Sequence, residues 1–144
     1  MGGHLAERLG AAGWGIRALT RSTSDTSALE ALGVERHTGS LEDREVLLRA
    51  SGGVDVVFHL AAVTAARDEA EYERVNVAGT GAVVAAMLAA KPRPSRLVYL
   101  SSYAACGPAP RDGMRENGET PAPLTAYGRT KLAGEEVART LERE

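Results

Sequence analysis

The chain of 144 residues is long enough for one domain with a real core, and its 44% hydrophobic content is that of an ordinary globular protein. A net charge of −2 leaves no field for gathering nucleic acid or an anionic membrane, and no apolar run approaches the length of a membrane span. Cys106 is the only cysteine, which excludes an intrachain disulfide; metal-site spacing is absent, and the N-terminus lacks a charged leader followed by an apolar stretch, so the expected location is the cytoplasm.

Gly3 to Ala12 places Leu5, Leu9 and Ala12 at helical spacing, and Gly13 closes that helix as a C-terminal stop. Trp14 to Thr20 reads as a buried strand, Ser22 to Ser27 as a polar loop before a short helix through Leu32, and Val34 to Thr38 as a second, weaker strand. Leu41 to Ala50 repeats a helical pattern with Asp43 and Glu45 in its first turns, where acids complement the helix dipole. Val54 to Leu60 is a short β-branched and aromatic run expected to be buried on both faces. Glu69 to Ala90 forms a long helix and Leu97 to Ser101 the next strand. Pro108 to Pro123 is a loop rich in Gly, Pro and charge, and Ala126 to Arg143 is the last helix. Strands alternating with helices predict βαβ units and an α/β fold with a doubly wound parallel sheet.

The chemistry concentrates late in the chain. Tyr127 and Lys131 stand four apart on the last predicted helix and share one of its faces. An ammonium beside a phenol favours the phenolate, the tuning that a proton-transfer catalyst needs. Ser102, at the end of an apolar strand, can hydrogen-bond the same substrate oxygen. Together the three suit alcohol–carbonyl chemistry.

The blocks Arg96–Gly107 (RLVYLSSYAACG) and Pro121–Glu135 (PAPLTAYGRTKLAGE), with Val54–Ala62 (VDVVFHLAA) and Asn76–Thr80 (NVAGT), closely resemble the extended short-chain dehydrogenase/reductase family of nucleotide-sugar epimerases and dehydratases. The resemblance runs over nearly the whole chain. It implies a Rossmann-like domain over residues 1–144, with Tyr127 as general acid/base, Lys131 holding the nicotinamide ribose and Ser102 orienting the substrate oxygen. It also implies hydride transfer at an alcohol or carbonyl carbon, with a small-molecule substrate, a sugar nucleotide foremost. Hydroxysteroid and flavonol-type ketones are close competitors, and a homodimeric parent fits the family. Another class stays open: a non-catalytic NADP-sensing or partner-binding module, or an inactive truncated product.

Against the family pattern, Gly2 matches the last glycine of a GxxGxxG turn, so the first strand and the first two glycines are expected to be missing. The family also continues past the helix of Lys131. A domain truncated at both ends, its sheet split where the first strand would lie, is therefore expected. At the end of the second family strand no acid stands at Thr20, and Arg21 favours NADP over NAD by neutralising a 2′-phosphate. Ser40 replaces the usual aspartate near the adenine, beside Leu41. Leu60, Ala61, Ala62 and Val63 let the backbone approach the cofactor, although helix–sheet packing explains the alanines almost as well. Asn76 is expected to border the cofactor. His4, His37 and His59 are expected to be structural, with His4 and His59 in packing positions, and Cys106 is expected to be a small buried thiol.

Overall fold

The computed structural model describes residues 1–109, 113 and 118–143. Part of the loop expected over Pro108–Pro123, positions 110–112 and 114–117, lies outside the described residues. Helix α1 spans Gly2–Ala11 and ends at Gly13, whose φ of 81° is the left-handed conformation that favours glycine. Strand β1 covers Arg17–Thr20, α2 Ser27–Ala31, β2 Glu35–Thr38, α3 Arg44–Ser51 and β3 Val56–His59. Helix α4 (Glu69–Tyr72) continues through a π-helical turn, Glu73–Ala78, into α5 (Gly79–Ala89). Strand β4 (Arg96–Tyr99), the one-turn helix α6 (Tyr103–Cys106) and helix α7 (Ala126–Arg139) complete the elements, with a 3-10 turn at Thr140–Arg143.

Helices α3, α4 and α7 begin where a side chain can accept from an orphan amide. Asp43 accepts from Val46 N at 3.0 Å ahead of α3, Asp68 from Glu71 N at 2.8 Å ahead of α4, and Thr125 from Gly128 N at 3.0 Å ahead of α7. Asp43 is thus a cap rather than a first-turn residue, and α3 starts three residues later than its apolar spacing suggests.

All pairing is parallel, as the strand–helix alternation predicts, but the strands form two separate sheets. Strand β1 pairs with β2 (Arg17 opposite Glu35, Thr20 opposite Thr38), and β3 pairs with β4 (Val56 opposite Arg96, His59 opposite Tyr99). Among the described residues the two sheets are not hydrogen-bonded to each other. One helical layer joins them. Leu47 of α3 and Val83, Ala86 and Met87 of α5 form a buried cluster, on which Leu19 of β1, Val57 of β3 and Leu97 of β4 all pack.

Two expectations need correction. Trp14 lies outside β1 and is about half exposed, because the strand begins only at Arg17. Strand β3 is not buried on both faces. Successive strand residues point to opposite sides, so Val57 and Leu97 turn to the helical layer while Phe58 and Val98, opposite each other in register, remain exposed.

Candidate active site

Helix α7 carries Tyr127 in its first turn and Lys131 in its second. Lys131 is 2% exposed, and its Nζ donates to the carbonyl of Leu100 at 2.7 Å, just beyond the carboxyl end of β4. The ammonium also lies 4.2 Å from the centroid of the Tyr99 ring. Burial lowers the Lys131 pKa, and the Glu135 carboxylate one turn on opposes that shift. Ser102, two residues past Leu100, caps α6 by accepting from Ala104 N at 3.2 Å. Gly128 lets α6 approach, since a Cβ there would lie 2.3 Å from the Ala104 carbonyl oxygen. The turn bearing Ser102 is thereby held alongside the turn bearing Tyr127, whose ring leans on that of Tyr72 at 6.1 Å. Ser101, the neighbouring serine, instead donates to the Glu135 carboxylate.

A buried chain of polar groups fixes this helix to the end of β3. His59 donates from Nε2 to the Thr80 hydroxyl at 3.0 Å, and that hydroxyl donates to the Asn76 carbonyl at 2.7 Å. Burial above all, and the Lys131 charge second, push the His59 pKa down to about 4, so the ring is neutral in this role. Asn76, 1% exposed within the π-helical turn, accepts from Val63 N at 2.9 Å and donates to Val63 O at 3.1 Å. Its amide also donates to the Thr130 hydroxyl at 3.3 Å, and that hydroxyl bonds the Ala126 and Tyr127 carbonyls at 3.0 and 3.1 Å. Asn76 therefore spends its amide on the protein: it clamps the Val63 loop to the helix of Tyr127 and Lys131. Thr80, Thr130 and Tyr99 escaped the sequence reading. The only available signal was a hydroxyl beside small residues in NVAGT and next to Lys131.

The residues expected at a dinucleotide fall into two groups. Gly2 opens α1, which has no side-chain cap and no acid in its first turn, so its leading amides suit a phosphate. A Cβ at Gly2 would meet only the Leu60 side chain, at 3.9 Å, which places the start of α1 beside the end of β3. Leu60, Ala61, Ala62 and Val63 form the loop that follows β3. At the end of β1 the Thr20 hydroxyl is buried and has no hydrogen-bond partner among the described residues, and Arg21 is exposed beside it. That orphaned hydroxyl and exposed guanidinium fit a polar ligand. Leu41, by contrast, turns its side chain into the core: a Cβ at Gly79 would lie 2.7 Å from Leu41 Cδ1. Ser40 is exposed, and its hydroxyl accepts from Glu42 N at 3.2 Å ahead of α3.

Of the two histidines expected in packing positions, only His59 is buried. His4 is exposed and pairs with Glu7 at 3.1 Å, and His37 pairs with Glu35 at 2.9 Å. Cys106 is exposed rather than buried, because the single turn of α6 points Ala105 inward and the next residue out.

Parallel βαβ units with an uncapped helix N-terminus beside β3, and a Tyr-x-x-x-Lys pair at the end of β4, define a Rossmann-like domain of dehydrogenase type. The chain belongs to the NAD dependent epimerase/dehydratase family, whose family model matches residues 1–144. It is 38% identical over 140 residues to a 4-hydroxy-2-methyl-3-oxo-4-farnesyl-3,4-dihydroquinoline-1-oxide ketoreductase of Stigmatella aurantiaca, covering 95% of this chain and 41% of that protein. Sterol demethylase protein B of Methylococcus capsulatus is 37% identical over 94% of this chain and 42% of its own. Among solved structures, MoeE5 in complex with UDP-glucose and NAD superposes with a TM-score of 0.83 at 30% identity, over 99% of this chain and 46% of MoeE5. The chain thus spans less than half the length of the relatives it matches. Among the described residues no helix is long and apolar enough to cross a membrane.

Proposed function

We propose that this chain is the nucleotide-binding part of an NAD(P)-dependent reductase or epimerase/dehydratase acting at an alcohol or carbonyl carbon. The observation that carries the reading is the buried Lys131 ammonium, fixed on the strand-end carbonyl of Leu100 at 2.7 Å, one helical turn from Tyr127. The nicotinamide, when bound, supplies or takes up the hydride. Tyr127 passes its phenolic proton to the substrate oxygen as the carbonyl becomes an alcohol, and takes it back in the reverse direction. Lys131 offsets the charge left on the phenol, and Ser102 orients the substrate oxygen by hydrogen bonding. The leading amides of α1 at Gly2 would receive the pyrophosphate, the 60–63 loop would line the nicotinamide side, and Thr20 with Arg21 would take the adenosine ribose. Arg21 in place of an acid favours NADP over NAD.

The substrate is a ketone or secondary alcohol. The sugar-nucleotide expectation is supported by the likeness to MoeE5, whereas the relatives named as a farnesyl-dihydroquinoline-oxide ketoreductase and as a sterol demethylase protein favour an apolar substrate. The test is consumption of reduced nicotinamide with each in turn, a UDP-linked 4-keto sugar and a farnesyl-quinolone or steroid ketone. Turnover of one class, reduced about 10²- to 10⁴-fold by Tyr127→Phe, supports the reading. Turnover that is indifferent to Tyr127→Phe sinks it.

A further inference from the structure

Lys131 is 2% exposed, yet among the described residues its ammonium hydrogen-bonds only one group, the backbone carbonyl of Leu100. An ammonium has three donors, and leaving a buried charge so poorly solvated is costly. The aromatic ring of Tyr99 closes the site: its centroid lies 4.2 Å from Nζ, well within the range at which the negative face of a ring attracts a cation. The ring is itself held at both ends. Its hydroxyl reaches the Lys131 carbonyl at 3.4 Å, and its face leans on the buried imidazole of His59 at 5.6 Å. Helix α7 makes room for it with Gly134, where a Cβ would lie 2.3 Å from the Tyr99 hydroxyl. A glycine in a helix interior is less favourable than alanine, so its use here points to the close approach.

We propose that Tyr99 is a positioning residue: its ring face holds the Lys131 ammonium at the carboxyl end of β4 and substitutes for the water that burial removes. The groups facing Lys131 are then Tyr99 from β4, neutral His59 from β3, and Glu135 and Tyr127 from α7 itself. The significance of the contact for catalysis rests on the functional reading above, but the contact can be tested without any turnover.

The chain has only two lysines, Lys91 and Lys131, so lysine labelled with ¹³C and ¹⁵N gives one buried and one exposed signal in NMR. In the wild type the ε-protons of Lys131 should lie upfield of those of Lys91, as protons over a ring face do. Their absence from that region would overturn the proposal even if no variant folds. Tyr99→Phe keeps the ring and should leave the Lys131 pKa and the upfield shift in place. Tyr99→Leu removes the ring and should lower the Lys131 pKa by about half to one pH unit, the worth of a cation–π contact. A purely space-filling tyrosine predicts the opposite sign, because its loss lets water reach the ammonium and raises the pKa. An unchanged or raised Lys131 pKa in Tyr99→Leu therefore refutes the assignment.

Discussion

Gly134→Ala should destabilise the chain, although alanine is the better helix former. A Cβ at 134 would come within 2.3 Å of the Tyr99 hydroxyl and 3.0 Å of the Asn76 carbonyl, where ordinary contact begins at 3.4 Å. The tyrosine would have to retreat by about 1 Å from a position set by Lys131 and His59, and overpacking of that kind costs roughly 1–3 kcal/mol. The helix-propensity gain of about 1 kcal/mol offsets only part of it, leaving a net loss of about 1 kcal/mol. Gly81 on α5 is the internal control. A Cβ there meets nothing closer than Val137 Cγ1 at 3.8 Å, so Gly81→Ala should gain the propensity term unopposed. Thermal and urea unfolding should then move in opposite directions for the two variants, each by a few degrees, on the order of 2–4 °C per kcal/mol for a chain of this size. If Gly134→Ala stabilises as much as Gly81→Ala does, Tyr99 is not packed against α7 as described.

Stability should also fall as the pH drops from about 6.5 toward 4. The folded His59 pKa of about 4 lies below the unfolded value, so the unfolded chain binds the extra proton in that window and is favoured by it, by up to about 3 kcal/mol; a His59 NMR titration with a midpoint near 6.5 would contradict this. Arg21→Ala should weaken NADPH binding relative to NADH by about tenfold, the worth of one charged hydrogen bond, and calorimetry showing an unchanged preference would remove the Arg21 inference alone. Because β1 and β3 are not hydrogen-bonded to each other, a β-strand and glycine-rich turn fused ahead of Met1 should raise the melting temperature and make it respond to dinucleotide. No gain in either respect would count against a strand site between the two sheets.

The parts of this protein that were legible in its sequence are those set by neighbours along the chain. Tyr127 and Lys131 share a helix face because of their four-residue spacing, Gly13 stops α1 because only its immediate backbone matters, and the strand–helix alternation fixes parallel pairing. What escaped depends on contacts across the fold. That Tyr99 meets Lys131, and that Thr130 meets Asn76, follows from how β4 and the π-helical turn are set against α7, which no local pattern encodes. Cys106 and Phe58 were misread for a similar reason: small or apolar residues suggest burial, but exposure is decided by which face the helical layer covers.

Proton transfer by Tyr127, backed by Lys131, as hydride passes to or from a carbonyl carbon is the step on which the proposed function rests. Its most direct test is deuterium transfer from C4 of reduced nicotinamide, followed by mass spectrometry of the product alcohol. Deuterium should appear on the carbinol carbon with the wild type, and the rate should fall about 10²- to 10⁴-fold with Tyr127→Phe. Deuterium transferred at an undiminished rate by Tyr127→Phe, or a reduced product without deuterium, would contradict the claim.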